Sequence, residues 1–272
     1  MGRIAETFRR LKGEGRKALI PYVTAGDPSL SFTRTLIPRL FEAGAELIEL
    51  GIPFSDPIAD GPTIQRASQR ALASGTTLRQ VLGLVGELRE EVEAPLILMT
   101  YYNPVLAYGE EALVEDALGA GVDGLIIPDL PPEEGALLRE KTLAGGPDLI
   151  FMLAPTSTPE RVKLVNEVGR GFIYYVAQMG VTGARERLSD ELAGALERLS
   201  AGRGLPLAVG FGIKTPEQAA SVASMADGVI VGSALIDAME KESGEAEKLE
   251  AAVRFIGAMA HALREAAGAP LT

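Results

Sequence analysis

Short apolar runs alternate with amphipathic stretches along almost the whole chain. Eight runs are rich in Leu, Ile and Val, and stretches with apolar residues at helical spacing separate them. We predict strands at residues 17–23, 46–51, 95–101, 124–129, 149–155, 171–177, 206–212 and 228–233, with helices between them. A further amphipathic segment at 3–12 precedes the first strand, and we expect it to cover one end of the core.

This alternation predicts an α/β fold with a parallel sheet. Strands that are apolar on both faces must be covered on both faces, and regular alternation with helices gives parallel neighbours joined by right-handed crossovers. Eight such units within 272 residues match a closed (β/α)8 TIM barrel with an extra N-terminal helix. An open doubly wound sheet is the rival, but no GxGxxG fingerprint follows the first strand. No linker-like run divides the chain, so we predict a single domain over 1–272.

Composition narrows the kind of partner. The formal net charge is −11 and Lys and Arg do not cluster, which argues against binding to nucleic acid or an anionic membrane. The absence of cysteine excludes disulfides, thiolate nucleophiles and Cys-based metal sites. No His or acid cluster has metal-ligand spacing, so no metal is expected. The chain shows neither a secretory signal nor an apolar run of membrane-spanning length, which predicts a cytoplasmic protein.

Two carboxylates, Glu49 and Asp60, are the candidate acid-base groups. Glu49 lies in a strand that is apolar on both faces, and Asp60 lies in the proline-rich loop after that strand. Carboxylates in differently solvated settings can have their pKa values pushed apart, which suits general acid-base chemistry. The alternatives are a structural buried acid at position 49 and a simple turn residue at position 60.

The predicted seventh and eighth strands end in glycine, at Gly210-Phe211-Gly212 and Gly232-Ser233. Glycine lets backbone N–H groups approach an anion closely, and the start of the following helix adds aligned donors. These two strand ends form the common phosphate site of this barrel architecture. A phosphate-bearing small molecule is therefore the expected ligand, although two tight turns would give the same pattern.

Several motifs together resemble the tryptophan synthase alpha subunit family. The stretch ELGIPFSDPIADGP at 49–62 matches its signature, and motifs at 21–28, 180–183, 210–213 and 232–234 follow in the family's order. The resemblance implies a lyase of tryptophan biosynthesis that cleaves indole-3-glycerol phosphate to indole and glyceraldehyde 3-phosphate. It further implies that this chain holds no cofactor, and that a PLP-dependent beta subunit receives the indole within an α2β2 heterotetramer.

The resemblance also assigns roles to individual residues. Glu49 would shuttle a proton between the substrate hydroxyl and indole C3, Asp60 would pair with the ring nitrogen, and Tyr174 would lie over the reacting chain. Tyr22 stands where the family usually has phenylalanine. The expected substrate-binding residues are Tyr22, Thr182, Gly183, Gly210, Phe211, Gly212, Gly232 and Ser233.

The pocket wall and a lid complete the expected site. We expect Tyr22 and Phe211 to hold the indole ring. Other strand residues available for this are Leu98, Thr100, Leu125, Ile127 and Ile230, but most apolar strand residues are plain core. The loop 178–187 has two glycines, several charges and no hydrophobic periodicity, which predicts a lid over the site. By resemblance, Thr182 in this lid reaches toward Asp60.

Three apolar or proline-rich loops, at 52–58, 102–108 and 130–132, suggest a docking face beside the site. The resemblance makes this the beta-subunit face, with Asp56 and Asn103 as polar contacts. Two other functions stay open from the residues alone. One is a different phosphate-binding barrel, such as an isomerase with Glu49 as base; the other is a weakly catalytic subunit that mainly activates its partner.

Overall fold

The computed structural model describes residues 2–177, 204–210 and 212–266. Within them, all paired strands run parallel. The strands are β1 (Ala18–Thr24), β2 (Ile48–Gly51), β3 (Leu96–Met99), β4 (Gly124–Ile126), β5 (Asp148–Ile150), β6 (Met152–Leu153), β7 (Ile173–Val176), β8 (Leu207–Gly210) and β9 (Gly228–Val231). They form one sheet in the order β5-β4-β3-β2-β1-β9-β8-β7-β6.

The sheet closes on itself through the predicted fifth strand. That strand is present as two pieces, β5 and β6, with Phe151 between them. β5 pairs with β4 and β6 pairs with β7, so the two ends of the sheet belong to one continuous segment. Hydrogen bonding continues across the break, because the amide of Tyr174 donates to the carbonyl of Phe151 at 3.1 Å. The TIM-barrel prediction is confirmed.

Helices separate the strands as the amphipathic stretches predict. They are α1 (Arg3–Gly13), α2 (Leu30–Glu42), α3 (Pro62–Ala73), α4 (Leu78–Leu88), α5 (Tyr102–Tyr108), α6 (Glu110–Ala120), α7 (Ala136–Leu143), α8 (Pro159–Val168), α9 (Pro216–Ala223), α10 (Ser233–Glu240) and α11 (Glu245–Ala266). Local capping defines several starts: Thr77 and Gln80 form a reciprocal capping box at α4, as do Thr215 and Gln218 at α9. None of the helices in the described residues is long and apolar enough to cross a membrane.

The segment 102–108 differs from the predicted loop, since it forms helix α5. Pro104 is tolerated there because it lies in the first helical turn, where a backbone N–H has no intrahelical partner. The carboxylate of Asp129 accepts a hydrogen bond from the Tyr102 amide at 2.8 Å and so satisfies one free donor. Gly109, with φ of 96°, ends the helix.

Apolar side chains fill the barrel interior at the amino-terminal ends of the strands, where helix α1 covers it. Side chains of alternate strand residues, among them Ile20, Leu47 and Ile97, form one buried cluster with Ile4, Phe8 and Leu11 of α1. The Phe8 ring packs on Phe172 with centroids 5.7 Å apart. Helix α1 is thus the predicted end cap, and the predicted site residues lie at the opposite, carboxyl ends of the strands.

A second, larger cluster fills the space between the sheet and the helices. Leu98, Leu125 and Ile127 belong to this outer cluster, so these three candidates are core residues, as expected of most apolar strand residues, and do not line an indole pocket. The reason is the two-residue alternation of strand side chains, which turns their immediate neighbours inward. The inward apolar residues at this level are Met99, Ile126, Met152 and Ile230.

Candidate active site

Glu49 is a buried carboxyl on the inner face of β2. Its exposed fraction is 0%, and among the described residues neither of its carboxyl oxygens has a hydrogen-bond partner. Burial raises the pKa of Glu49 to about 8, so the group is mainly protonated at neutral pH. In the described part of the chain, no arginine pairs with Glu49. This argues against the alternative that Glu49 is a structural buried acid.

Asp60 occupies a more polar setting in the loop between β2 and α3. It is partly buried, and burial raises its pKa to about 6. The Tyr101 hydroxyl lowers the pKa of the Asp60 carboxyl and so opposes part of that rise. At pH 7 Asp60 is therefore mainly ionised while Glu49 is mainly neutral, which is the unequal pair that the sequence pattern suggested.

Tyr101 is a site residue that sequence reasoning missed. Its hydroxyl accepts a hydrogen bond from the Ala59 amide at 3.0 Å, and its ring lies 5.4 Å from the ring of Phe54. The side chain is 4% exposed and therefore fixes the loop that carries Asp60. The alternation of side chains along the strand could have identified it, because position 101 falls on the same inner face as Ile97 and Met99.

Two buried tyrosines, Tyr22 on β1 and Tyr174 on β7, border the two acids. Each is 6% exposed. Burial raises the pKa of both phenols, and Glu49 and Asp60, which are both ionised at the high pH where a phenol titrates, raise it further. Tyr22 is also the register partner of Glu49 in the neighbouring strand, and its hydroxyl accepts a hydrogen bond from Thr24 at 3.4 Å. The predicted site residues on three strands are thus brought together.

Glycines at the strand ends make room for these phenols. A Cβ atom at Gly51 would lie 2.0 Å from the Tyr22 hydroxyl oxygen, and one at Gly210 would lie 2.6 Å from that of Tyr174. A Cβ at Gly232 would lie 3.3 Å from the Cβ of Tyr22. Gly210 and Gly232 therefore have a packing role besides any contact with substrate.

The predicted phosphate end lies next to these glycines. Gly232 precedes the first turn of α10, and Ser233 is the first residue of that helix, where backbone N–H groups are free to bind an anion. Gly212 is exposed and adopts a φ of 77°, which favours glycine. Thr182, Gly183 and the predicted lid at 178–187, together with Phe211, lie outside the described residues.

The predicted partner residues are on the surface. Asp56 lies in the loop before Asp60, and Asn103 lies in the first turn of α5; both are exposed. Ile58 and Leu106, apolar neighbours of these residues in sequence, are 83% and 54% exposed. In the described ranges, no group of three or more His or acidic residues could hold a metal ion.

Comparison with known proteins identifies the family. The family model for the tryptophan synthase alpha chain matches residues 8–265. The chain belongs to this family. A tryptophan synthase alpha chain from Geobacter sp. (strain M21) is 54% identical over 259 residues, which cover 95% of this chain and 97% of the relative. The corresponding protein of Pelobacter propionicus is 48% identical over 263 residues, or 97% and 98% of the two chains.

Solved tryptophan synthase structures share the fold. The alpha subunit from Legionella pneumophila str. Paris superposes with a TM-score of 0.89 at 41% identity, covering 97% of this chain and 99% of its own. A chain of Mycobacterium tuberculosis tryptophan synthase gives 0.87 at 38% identity, covering 97% and 98%. The family is one of lyases that cleave indole-3-glycerol phosphate in tryptophan biosynthesis, so the predicted family, fold and enzyme class are confirmed.

Proposed function

We propose that Glu49 and Asp60 are the acid-base pair with which this tryptophan synthase alpha chain cleaves indole-3-glycerol phosphate. The observation that supports this most strongly is Glu49 itself, a buried carboxyl without a hydrogen-bond partner in the described residues. A buried polar group left unpaired costs about 1–3 kcal/mol. A substrate with a hydroxyl group and a carbon that accepts a proton would supply the partners that the Glu49 carboxyl lacks.

The reaction requires one proton to be delivered and one to be removed. Protonated Glu49 donates to C3 of the indole ring, which places positive charge on the ring nitrogen, and anionic Asp60 stabilises that N–H. Glu49, now ionised, accepts the proton of the hydroxyl on the carbon attached to C3. The bond between C3 and that carbon then breaks, its electrons restore the aromatic ring, and the carbon leaves as the aldehyde of glyceraldehyde 3-phosphate. Glu49 ends the cycle protonated.

The different pKa values of the two acids suit these two roles. With a pKa of about 8, Glu49 can donate at neutral pH and become ionised when a base is needed. With a pKa of about 6, Asp60 is available as the anion from the start. The Tyr101 hydroxyl favours the ionised form of Asp60 and fixes the loop by accepting a hydrogen bond from the Ala59 amide. Tyr101 is therefore a positioning residue.

The substrate phosphate would bind at the start of α10. Backbone N–H groups at Gly232 and Ser233, with the Ser233 hydroxyl, provide donors at the positive end of the helix dipole. Gly210 ends the neighbouring strand β8. We expect Phe211 and Gly212 to contribute to the site beside it, and Thr182 and Gly183 to close it. Tyr22 and Tyr174 line the space between the proposed phosphate site and the carboxyl groups of Glu49 and Asp60.

The partner would be the beta subunit of tryptophan synthase, in a cytoplasmic α2β2 assembly with PLP bound by the partner. Asp56 and Asn103 would make polar contacts with it. The exposed Ile58 and Leu106 support a docking role, because large apolar side chains at such exposure are typical of surfaces that bind another protein. The solved Mycobacterium tuberculosis neighbour is described as tryptophan synthase.

Indole release by the purified chain tests the proposal. Wild type, Glu49→Gln and Asp60→Asn are incubated with indole-3-glycerol phosphate, and indole is measured. Glu93→Gln, which changes an exposed acid, is the matched control. We expect indole from wild type and the control and a loss of at least about 10³-fold in the two variants. Triose or sugar isomerisation without indole would contradict the proposal, as would activation of a beta subunit by a chain that releases no indole.

A further inference from the structure

Arg70 joins three elements that surround the candidate site. It lies in α3, and its Nε and Nη2 atoms donate to the two carboxylate oxygens of Asp27, each at 2.7 Å. Its Nη1 donates to Glu240, the last residue of α10, at 2.6 Å. One guanidinium therefore links the loop after β1, the helix after Asp60 and the helix that begins at Ser233.

Other contacts extend the same connection between α3 and α10. Arg66 donates to the second carboxylate oxygen of Glu240 at 2.7 Å, and the Thr63 hydroxyl donates to Asp237 at 2.9 Å. Thr63, Arg66 and Arg70 lie at i, i+3 and i+7, so they occupy one face of α3. The whole length of that face is thus fixed against α10.

A second contact fixes α3 against the loop after β1. The Ser74 hydroxyl, just past the end of α3, donates to the Gly26 carbonyl at 3.2 Å. Asp27 itself is buried, with 9% of its side chain exposed, so its bidentate pair with Arg70 is shielded from water on one side. A two-bond arginine–carboxylate pair fixes orientation as well as distance.

The position of this network makes it more than an ion pair on the surface. Asp60 lies two residues before α3, and the proposed phosphate donors lie at the other end of α10 from Glu240. Since α10 has eight residues, it is a rod of about 12 Å, and a displacement at Glu240 moves the phosphate-binding end as well. An isolated exposed pair is worth only about 0–1 kcal/mol, whereas a misplacement of about 1 Å in a site can cost about 100-fold in rate.

We propose that Arg70 is a positioning residue that sets the distance between Asp60 and the phosphate-binding start of α10, so that both ends of one substrate bind at once. This inference rests on the proposed function, because that function supplies the substrate with an indole end and a phosphate end. It assigns Arg70, Glu240 and Asp27 a role in the reaction although none of them need touch the substrate.

Linked and separate ligands distinguish positioning from a general structural role. The probes are indole alone, glycerol 3-phosphate alone, and a nonreactive indolyl-alkyl phosphate of the substrate's length. In Arg70→Lys the charge remains but the two-bond fork is lost. We expect each separate probe to bind within about threefold of wild type, while the linked probe loses about 10- to 100-fold in affinity and kcat/KM falls by a similar factor.

The control is Arg39→Lys, which changes a partly exposed helical arginine paired with Glu42 at 3.1 Å and should leave all three affinities unchanged. Equal losses for separate and linked probes in Arg70→Lys would show a merely structural role and overturn the inference. An unchanged linked affinity would overturn it too. If Arg70→Lys does not fold, Glu240→Gln tests the same link by removing one arm. Failure of wild type to release indole would instead count against the proposed function.

Discussion

Tyr22 and Glu49 are register partners on the neighbouring strands β1 and β2 and place a buried phenol beside a buried carboxyl. Glu49 has no hydrogen-bond partner in the described residues, and burial raises its pKa to about 8. The fold thus keeps a carboxylic acid neutral at the end of the barrel where active sites of this architecture lie. The chemistry proposed for the chain depends on that neutral acid and on the anion at Asp60.

The activity should have a bell-shaped dependence on pH. The rate should rise as Asp60 ionises around pH 6 and fall as Glu49 loses its proton around pH 8. We expect kcat/KM for indole release to be greatest near pH 7, measured at constant ionic strength. A rate that keeps rising to pH 10 would contradict the assignment of Glu49 as the acid.

Tyr101→Phe should shift the acidic limb of that profile. The hydroxyl stabilises the ionised form of Asp60, so its loss should raise the apparent pKa by about one unit and lower kcat/KM about fivefold at pH 6. Tyr102→Phe is the control, because that hydroxyl donates to Glu110 at 3.0 Å instead. An acidic limb that stays at its wild-type position in Tyr101→Phe would show that the phenol does not act on Asp60.

Glu49→Gln should make stability less dependent on pH. The folded chain holds the Glu49 proton up to about pH 8, whereas an unfolded glutamate releases it at about 4.3. Between these values the folded state binds more protons, so the free energy of unfolding falls as pH rises, by up to about 5 kcal/mol.

Urea unfolding at pH 5 and pH 9 measures this change. We expect the difference in unfolding free energy between the two pH values to be smaller in Glu49→Gln than in wild type. The partly buried Asp60 contributes equally to both chains and cancels. Parallel pH curves for the two proteins would contradict a raised pKa at Glu49.

Gly51→Ala should displace Tyr22. The new Cβ would lie 2.0 Å from the phenol oxygen, and overpacking of this kind costs about 1–3 kcal/mol. In a Tyr22→Ala background the same substitution should cost much less, which a double-mutant cycle of unfolding free energies measures. Gly83→Ala is the control, since nothing lies within 4 Å of a Cβ at that exposed helical position. Equal costs of Gly51→Ala in both backgrounds would refute the contact.

The order of strands and helices could be predicted from the pattern of apolar residues. Apolar runs indicate strands buried on both faces, and amphipathic stretches indicate helices buried on one face. The acid pair could be predicted because a charged residue inside an apolar strand is costly to bury. Helix α5 could not, since Pro104 and its apolar neighbours also fit a loop, and the contact that caps the helix comes from Asp129 on another segment.

Inward and outward strand residues were assigned less well. Leu98 and Leu125 are as apolar as Met99 and Ile126, so composition alone did not tell the two faces apart, although the alternation from Glu49 and Ile97 in register does. The network around Arg70 could likewise not be predicted from the sequence. It joins residues 27, 70 and 240, and nothing local to any of them indicates the other two.

Infrared difference spectroscopy of the Glu49 carboxyl, comparing wild type with Glu49→Gln across a pH titration, observes the neutral acid itself. Bands of a protonated carboxylic acid that are present at pH 7 in wild type, absent from the variant, and lost between about pH 7 and pH 9 are the expected result. A Glu49 signal that is already that of a carboxylate at pH 6 would contradict the proposal that this residue delivers the proton.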